Sequence, residues 1–366
     1  MGNPFTPSFG KVPAVMAGRS MLIDELVRAY QNSSGDPNWA TILVGARGTG
    51  KTAMLACMAT CVEEQGWIAV RSTAIEGMLQ DLYEQTLRKS AHLIDLSKGP
   101  KLTGLTLAQV GGIQFAAERQ QEMNWRSKMT DVLEALESQD VGLLIEVDEV
   151  NPRLSEMEQL VTVYQHFVTE NRKVALLMAG LPHRVSELLN GDSVSFLRRA
   201  CRQDLGSIED CEVAAALSET VELEGKSFEV DALDQAVAAV EGFPYMLQLV
   251  GYRSWEAARY AGTIDAEAVA RGVSLARGDM VSRVLRPTLA ELSNADLAFL
   301  RAMLADASYS TTGELARRLN RSASYVSTYK RRLLDQGLIE EVGRGKVRFA
   351  LPLLREYAPV YLEEAL

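Results

Sequence analysis

The residues with the clearest chemical potential lie between Gly45 and Thr52, where the sequence reads Gly-Ala-Arg-Gly-Thr-Gly-Lys-Thr. A glycine, four residues and then Gly-Lys-Thr is the phosphate-loop pattern. Glycines here let backbone N–H groups turn inward around a polyphosphate, beside the positive end of the following helix. Lys51 would reach the β- and γ-phosphate oxygens, and the Thr52 hydroxyl would hold Mg²⁺. The predicted nucleotide-binding residues are Gly45, Ala46, Arg47, Gly48, Thr49, Gly50, Lys51 and Thr52. The alternative is a chance match in a glycine-rich turn.

Hydrolysis needs a second, carboxylate site, and residues 141–149 supply a candidate. They read Val-Gly-Leu-Leu-Ile-Glu-Val-Asp-Glu, an apolar run that ends in two acids and resembles a Walker B strand. Asp148 would hold Mg²⁺ through water, and Glu149 would polarise the attacking water. Lys51 and Glu149 are therefore predicted catalytic residues, with Thr52 and Asp148 on the metal. The alternative is a strand that ends in an acidic turn.

A further carboxylate, Glu146, lies inside the same apolar run. The two-residue alternation of a strand puts it on the same face as Asp148. A buried carboxylate is unfavourable unless it is paired. Glu146 therefore lies either close to Lys51 or Thr52 or beside another polar neighbour, and the sequence leaves both arrangements open.

The elements around these residues predict an α/β fold with a parallel sheet. An apolar strand, Ile42–Val44, enters the loop, and a helix over Lys51–Gln65 leaves it. Trp67–Val70 and Val174–Met178 are further predicted strands, and Ser155–Thr169 is a predicted helix. Residues 76–140 form a long, mostly helical excursion to which we assign no chemistry.

The order Val12-Pro13, Gly18-Arg19, phosphate loop and acidic strand resembles the AAA+ class of P-loop ATPases. The resemblance is strongest to the bacterial and archaeal branch related to replication initiators and the STAND signalling ATPases. It implies that the segment before the first helix packs against adenine, which makes Val12 and Pro13 candidate base contacts. It implies a substrate and product pair of ATP and ADP.

The resemblance also implies an arginine near residues 196–200 that stabilises charge on the transferring phosphoryl group. Arg198 and Arg199 are the candidates, and ordinary solvated arginines are the alternative. Presentation of either one to a neighbouring subunit would make hydrolysis slow in a monomer. A homo-oligomer or a protein partner is therefore expected to stimulate it.

The chain departs from that family at two sensor positions. The strand that ends near Met178 continues as Ala-Gly-Leu-Pro where relatives carry a polar sensor, and His183 is either a substitute or a surface residue. Tyr245 stands where many lids carry an arginine. The preceding Gly-Phe-Pro resembles the Gly-x-Pro element of the STAND branch, so Pro244 is a candidate adenine contact. A glycine–proline helix start is the alternative.

The C-terminal part resembles a winged helix, with predicted helices over Asp296–Leu304, Glu314–Leu319 and Ser324–Gln336 and a hairpin over 338–351. The segment from Gly313 to Arg348 contains nine basic and four acidic residues, so it carries a charge of +5 in a chain of net charge −10. A local basic patch is the footprint expected for nucleic acid, here double-stranded DNA. The predicted DNA contacts are Ser324, Tyr325, Thr328, Lys330 and Arg331 in the third helix and Arg344 and Lys346 in the wing. A protein-interaction or packing module is the alternative.

These elements divide the chain of 366 residues into an ATPase core (1–207), a helical lid (208–278), a linker (279–293) and a winged helix-turn-helix domain (294–366). The linker is expected to be a helix or loop broken at Pro287. Neither a membrane-length apolar run nor a signal-peptide layout is present, so we expect a cytoplasmic protein without a membrane partner. The four cysteines show no metal spacing, and the three histidines form no cluster in the sequence.

We therefore expect an ATP-hydrolysing switch whose nucleotide state controls a DNA-binding winged helix. The rival is a STAND-type signalling or scaffold ATPase with slow turnover and a protein-interacting winged helix. The missing sensor residues and the Gly-x-Pro element favour the rival, whereas the basic segment favours DNA binding.

Overall fold

A computed structural model describes residues 2–8, 10–32, 35–91, 93 and 117–364. Part of the predicted 76–140 excursion, residues 94–116, lies outside these residues. The first part of the chain contains α1 (Ser20–Gln31), β1 (Ala40–Val44), α2 (Lys51–Glu64), β2 (Ile68–Thr73), α3 (Met78–Ser90), α4 (Ala117–Glu137), β3 (Leu143–Asp148), α5 (Ser155–Thr169), β4 (Val174–Gly180), α6 (Pro182–Leu189) and β5 (Cys201–Asp204). Short 3₁₀ turns occupy Pro37–Trp39 and Asp192–Arg199.

The five strands form one parallel sheet in the order β2-β3-β4-β1-β5. Because strand side chains alternate, each strand contributes to two cores. Leu43 and Leu144 pack toward Met54 of α2 on one face, and Ile42 and Ile145 belong to the core on the opposite face with α3, α4 and α5. Coverage of both faces explains why β3 and β4 are buried along their whole length.

A helical unit follows the sheet. It contains α7 (Asp210–Glu222), β6 (Ser227–Phe228), α8 (Val230–Val240), α9 (Pro244–Ala257), β7 (Thr263–Ile264), α10 (Ala266–Met280), a π-helical turn (Val281–Leu285) and α11 (Arg286–Ala290). The predicted linker is thus helical as far as Ala290. Pro287 is the second residue of α11, directly after the π-helical turn, so the helical run changes type just before Pro287 and continues through it.

The C-terminal unit contains α12 (Asn294–Met303), β8 (Ser310–Thr311), α13 (Thr312–Leu319), α14 (Ala323–Asp335), β9 (Ile339–Gly343), β10 (Lys346–Phe349) and α15 (Leu354–Glu364). Its strands form an antiparallel sheet in the order β8-β10-β9. This is the predicted order of three helices and a hairpin, and Val326, Leu333 and Leu334 of α14 are buried as expected. Met280 of the helical unit and Phe299 of α12 belong to one apolar cluster, so the two units share a core.

No helix among the described residues is both long and apolar enough to cross a bilayer.

Candidate functional site

The phosphate loop connects the end of β1 to the start of α2. Gly48 and Gly50 adopt positive φ values of 79° and 88°, which favour glycine, and α2 begins at Lys51. A Cβ atom at Gly48 would lie 2.6 Å from the ring of Phe243 at the start of α9. The loop therefore needs glycine at Gly48 both for its backbone conformation and for the close approach of the helical unit.

Lys51 is folded back onto the loop. Its Nζ donates to the carbonyl oxygens of Gly45 at 2.9 Å and Ala46 at 2.7 Å, and the residue is only 6% exposed. Burial lowers the pKa of the ammonium group, and the nearby carboxylates of Glu149 and Asp148 oppose that shift. The loop thus holds the Lys51 ammonium group with two neutral carbonyl oxygens, which bind a cation more weakly than charged oxygens do.

Thr52 and Asp148 meet although they lie far apart in the sequence. The Thr52 hydroxyl donates to Oδ2 of Asp148 at 2.7 Å. This contact arises because β1 and β3 are parallel strands of one sheet, separated by β4, and their carboxyl ends share an edge. A hydroxyl oxygen beside a carboxylate is a ligand set that suits Mg²⁺, which prefers oxygen ligands and retains several waters. The donor set therefore fits the predicted metal.

Glu149 follows directly at the end of β3. Its backbone is left-handed, with a φ of 55°, and its N–H donates to Oδ1 of Asp148 at 2.9 Å. The residue is exposed, in contrast to Asp148, which is 8% exposed. The turn therefore fixes the metal-facing carboxylate and leaves the carboxylate proposed to polarise water free to meet solvent.

Glu146 takes the second of the two arrangements that the sequence left open. Its carboxylate is fully buried and pairs with Arg71 Nε at 2.7 Å, because the β2–β3 register places the two residues side by side. Its other oxygen, Oε1, has no hydrogen-bond partner in the part of the chain that the structure describes. Burial raises the pKa of Glu146 to about 7, with Arg71 opposing the shift. Glu146 is thus a buried residue of β3, two positions before Asp148, and its partner is Arg71.

A cavity of about 700 Å³ opens beside the phosphate loop. Its walls come from the end of β1 and the loop, from α6, β5 and the start of α9, and from the β9–β10 hairpin of the C-terminal unit. The lining residues include Gly45, Ala46, Thr49, Phe243, Pro244, Arg202 and Arg348. Arg202 donates to Asp204 at 3.1 Å, and Arg348 donates to Glu340 at 2.5 Å. Of these, the sequence predicted Pro244 as a nucleotide contact. Phe243 is the variable residue of the Gly-Phe-Pro element, and neither it nor the two arginines was predicted to lie at the site.

Four predicted residues lie elsewhere. Val12 is 38% exposed, and neither Val12 nor Pro13 lines the cavity. Arg198 donates to the Leu189 carbonyl at 2.8 Å, and Arg199 is exposed beside it. The structure therefore brings none of the four to the phosphate loop, and their roles stay predictions.

The predicted DNA-binding helix is only partly free. Arg331 of α14 donates through Nη2 to Glu187 at 2.6 Å and through Nε to His183 at 3.1 Å, both on α6. Lys330 pairs with Glu341 of the wing at 2.5 Å. Since Arg331 is bound to the sheet-bearing part of the molecule, its position does not suit the predicted role of a free DNA contact.

The remaining predicted DNA contacts are more accessible. Ser324 and Thr328 are exposed on α14, and Tyr325 is half-buried and stacks against Tyr329, with 4.5 Å between ring centroids. In the wing, Arg344 is exposed, and Lys346 lies 4.5 Å from the ring centroid of Tyr309. The predicted DNA contacts in the N-terminal half of α14 and in the wing are thus accessible to a partner, and their role stays a prediction.

Solved structures share this architecture over nearly the whole chain. The Aeropyrum pernix ORC2 protein in its ADPNP–ADP complexes superposes with a TM-score of 0.64 at 16% identity, covering 98% of this chain and 97% of that one. The Walker-type ATPase PABY2304 of Pyrococcus abyssi gives 0.64 at 13% identity, covering 94% and 96%. The ADP form of the ORC2 protein gives 0.57 at 15% identity, covering 98% and 97%.

This chain has the AAA+ P-loop ATPase fold. The predicted fold class and the resemblance to replication-initiator-type ATPases are therefore confirmed at the level of architecture. A family model described as a domain of unknown function, DUF8462, matches residues 282–358, which span α11 to α15. A search of curated protein sequences finds no match.

Proposed function

We propose that this protein is an ATP-binding and ATP-hydrolysing switch whose nucleotide state controls a DNA-binding winged helix. The observation that carries the proposal is the meeting of Thr52 with Asp148 beside the buried ammonium group of Lys51. A phosphate loop beside the carboxyl end of an acidic strand is an arrangement suited to nucleotide hydrolysis.

Each residue has a distinct task in this proposal. Lys51 exchanges its two carbonyl acceptors for phosphate oxygens, which gives the cation stronger, charged partners. Thr52 and Asp148 hold Mg²⁺, which neutralises charge on the phosphate oxygens when bound. Glu149, exposed at the end of β3, orients and polarises the attacking water.

The cavity supports the coupling of nucleotide state to the C-terminal unit. Pro244 of the helical unit and Arg348 of the wing both line it together with loop residues. A ligand that extends from the loop into this space would contact three parts of the chain at once. We therefore propose the division into an ATPase core over 1–207, a lid over 208–278, a linker over 279–293 and a winged helix over 294–366, with the nucleotide between the core, lid and wing.

DNA binding rests on charge and exposure. The segment from Gly313 to Arg348 carries nine basic and four acidic residues. Ser324, Thr328 and Arg344 are exposed, as contacts to phosphate or base edges must be. Arg198 and Arg199 would act on a neighbouring subunit, since neither lines the cavity of its own chain.

One observation favours a second candidate, a STAND-type signalling or scaffold ATPase with slow turnover. Arg331 and Lys330, two of the basic residues assigned to DNA, make ion pairs within the chain. A winged helix whose cations are used internally is suited to protein contact rather than DNA contact.

The affinity for double-stranded DNA, measured against salt concentration with ATP or ADP bound, separates the two candidates. The switch predicts a steep fall in affinity with salt, through counterion release, and different affinities for the two nucleotide states. Absence of binding at low salt in both states would exclude the DNA-binding switch and leave the scaffold.

A further inference from the structure

A cluster of polar side chains joins α6 to α14, and one of its members, His183, also lines the cavity beside the phosphate loop. We define the α6–α14 junction as His183 and Glu187 of α6 with Arg331 and Asp335 of α14. His183 Nε2 lies 3.4 Å from Oδ1 of Asp335 and 4.0 Å from Oε2 of Glu187. One ligand atom from each of His183, Glu187 and Asp335 lies within 4.8 Å of the others. An imidazole nitrogen and two carboxylates thus converge from two separate units.

The spacing of these atoms is close to that of a metal site. A zinc-type ion bonded at about 2.0–2.2 Å to tetrahedrally placed ligands holds them about 3.3 Å apart. The separation of His183 and Asp335 already meets that value, and Glu187 lies one helical turn from His183 on the same face. A small rotation of the Glu187 side chain would complete three protein ligands.

The ring nitrogen of His183 already faces a cation. Its Nε2 accepts a hydrogen bond from Arg331 Nε at 3.1 Å, so the lone pair points into the junction and the ring proton lies on Nδ1. Arg331 Nη2 donates to the same Glu187 side chain at 2.6 Å. The guanidinium group therefore stands where a metal ion would stand, bound to two of the three ligands.

The structure leaves space for a metal ion to replace the Arg331 guanidinium. The Arg331 side chain is 49% exposed, so its guanidinium already reaches water and can be fully hydrated when it leaves the junction. A small cavity of about 80 Å³ adjoins Glu187 and Asp335 and can hold the water that completes the coordination of a three-ligand site. Arg153, whose Nε lies 3.9 Å from Glu187, stays close enough to limit the affinity by repulsion.

We propose that the α6–α14 junction is a binding site for a divalent transition-metal ion of the zinc class, which displaces the Arg331 guanidinium. An imidazole with two carboxylates favours such ions over Ca²⁺ and Mg²⁺, which take oxygen ligands. Because His183 and Glu187 come from α6 and Asp335 from α14, the bound ion would tie the C-terminal unit to the sheet-bearing part of the molecule. The site is separate from Thr52 and Asp148, and its test needs neither nucleotide nor DNA.

The test is a titration of the full chain with Co²⁺, which takes the same ligands as Zn²⁺ and absorbs visible light when coordinated. We expect one ion per chain, with a visible absorption band that excess Zn²⁺ removes. His183→Gln and Asp335→Asn should each remove the band. Arg331→Ala should tighten binding by about tenfold, the factor expected for loss of one charge-assisted competitor.

Two matched variants exclude the other ligand sets. Asp148→Asn, at the proposed magnesium site, should leave the band unchanged. So should the double variant Cys57→Ser with Cys61→Ser, which removes two thiols of α2 whose Sγ atoms lie 4.0 Å apart. The sign of the Arg331→Ala effect separates the proposal from misfolding, because an unfolded junction would bind more weakly and not more tightly. Absence of a stoichiometric band in both the wild type and Arg331→Ala, or a band that survives His183→Gln, would overturn the proposal.

Discussion

The phosphate loop and the α6–α14 junction hold their charged groups in different ways. Lys51 and Asp148 are 6% and 8% exposed; backbone carbonyls fix Lys51, and the Thr52 hydroxyl of α2 fixes Asp148. His183, Glu187 and Asp335 have side chains 24%, 27% and 27% exposed, and they contact one another across two units. Ionic contacts that water can reach contribute little to stability, whereas buried ones hold their geometry. The comparison indicates a preorganised site at the loop and an exchangeable contact at the junction.

The largest expected effect tests the preorganised site. Glu149→Gln removes the only carboxylate that we assign to the attacking water, so kcat for ATP should fall by about 10²- to 10⁴-fold while ATP binding persists. The matched control is Glu158→Gln on the exposed face of α5, which should hydrolyse ATP at the wild-type rate. Steady-state phosphate release with equal rates for Glu149→Gln and wild type would remove Glu149 from the mechanism.

The buried pair next to that site predicts a pH-dependent stability. The folded-state pKa of Glu146 is raised to about 7 from an ordinary 4.5, so the folded state binds the proton more tightly than the unfolded state does. Its contribution is therefore complete below pH 4.5 and is lost as the pH rises through about 7, by up to about 3 kcal/mol.

Urea unfolding without Mg²⁺ or nucleotide measures this effect across the same pH range. Glu146→Gln should show a flatter dependence than the wild type, and the exposed Glu158→Gln should not. Superposed wild-type and Glu146→Gln profiles would mean that Arg71 keeps Glu146 ionised throughout.

Backbone geometry predicts an effect of intermediate size. Gly48→Ala places a Cβ 2.6 Å from the Phe243 ring at a φ of 79°, so unfolding should become easier by about 1–3 kcal/mol. Gly278→Ala lies in α10 with open space around the added methyl group, and it should be neutral or slightly stabilising. Equal midpoints in thermal unfolding for the two variants would show that the loop does not hold its conformation tightly.

The smallest expected effect is on the salt dependence of DNA binding, which we compare between a wing variant and a junction variant. Arg344→Ala should lower the DNA affinity and reduce the slope of log K against log salt by about 1, the loss of one phosphate contact. Arg331→Ala should leave that slope unchanged, because its guanidinium is bound to His183 and Glu187. Equal slope changes in fluorescence anisotropy titrations would mean that the junction opens on DNA and that Arg331 is a DNA contact after all.

The two regions also differ in how far the sequence predicts them. The loop and Asp148 are predictable because each motif is local and because parallel strands end at one edge of the sheet. The partner of Glu146 depends on the β2–β3 register that sets Arg71 beside it, and the sequence does not specify that register. Several arrangements of strands are compatible with the same apolar runs.

The junction is harder to predict. Its helix α6 is eight residues long and starts at Pro182 directly after β4, too short for a clear helical period. Basic residues such as Arg331 produce the same pattern on a helix that faces DNA and on one that faces an acidic partner. The docking of the C-terminal unit on α6 decides between these, and no local pattern encodes it.

The central claim is that the loop and the acidic strand together hold Mg-ATP, and titration calorimetry tests it most directly. We predict saturable binding of one Mg-ATP per wild-type chain, and loss of that binding in Lys51→Ala. The control is Arg259→Ala, which removes an exposed cation near the far end of α9 and should bind Mg-ATP as the wild type does. Wild-type protein that shows no heat of binding, or Lys51→Ala that binds as the wild type does, would contradict the account.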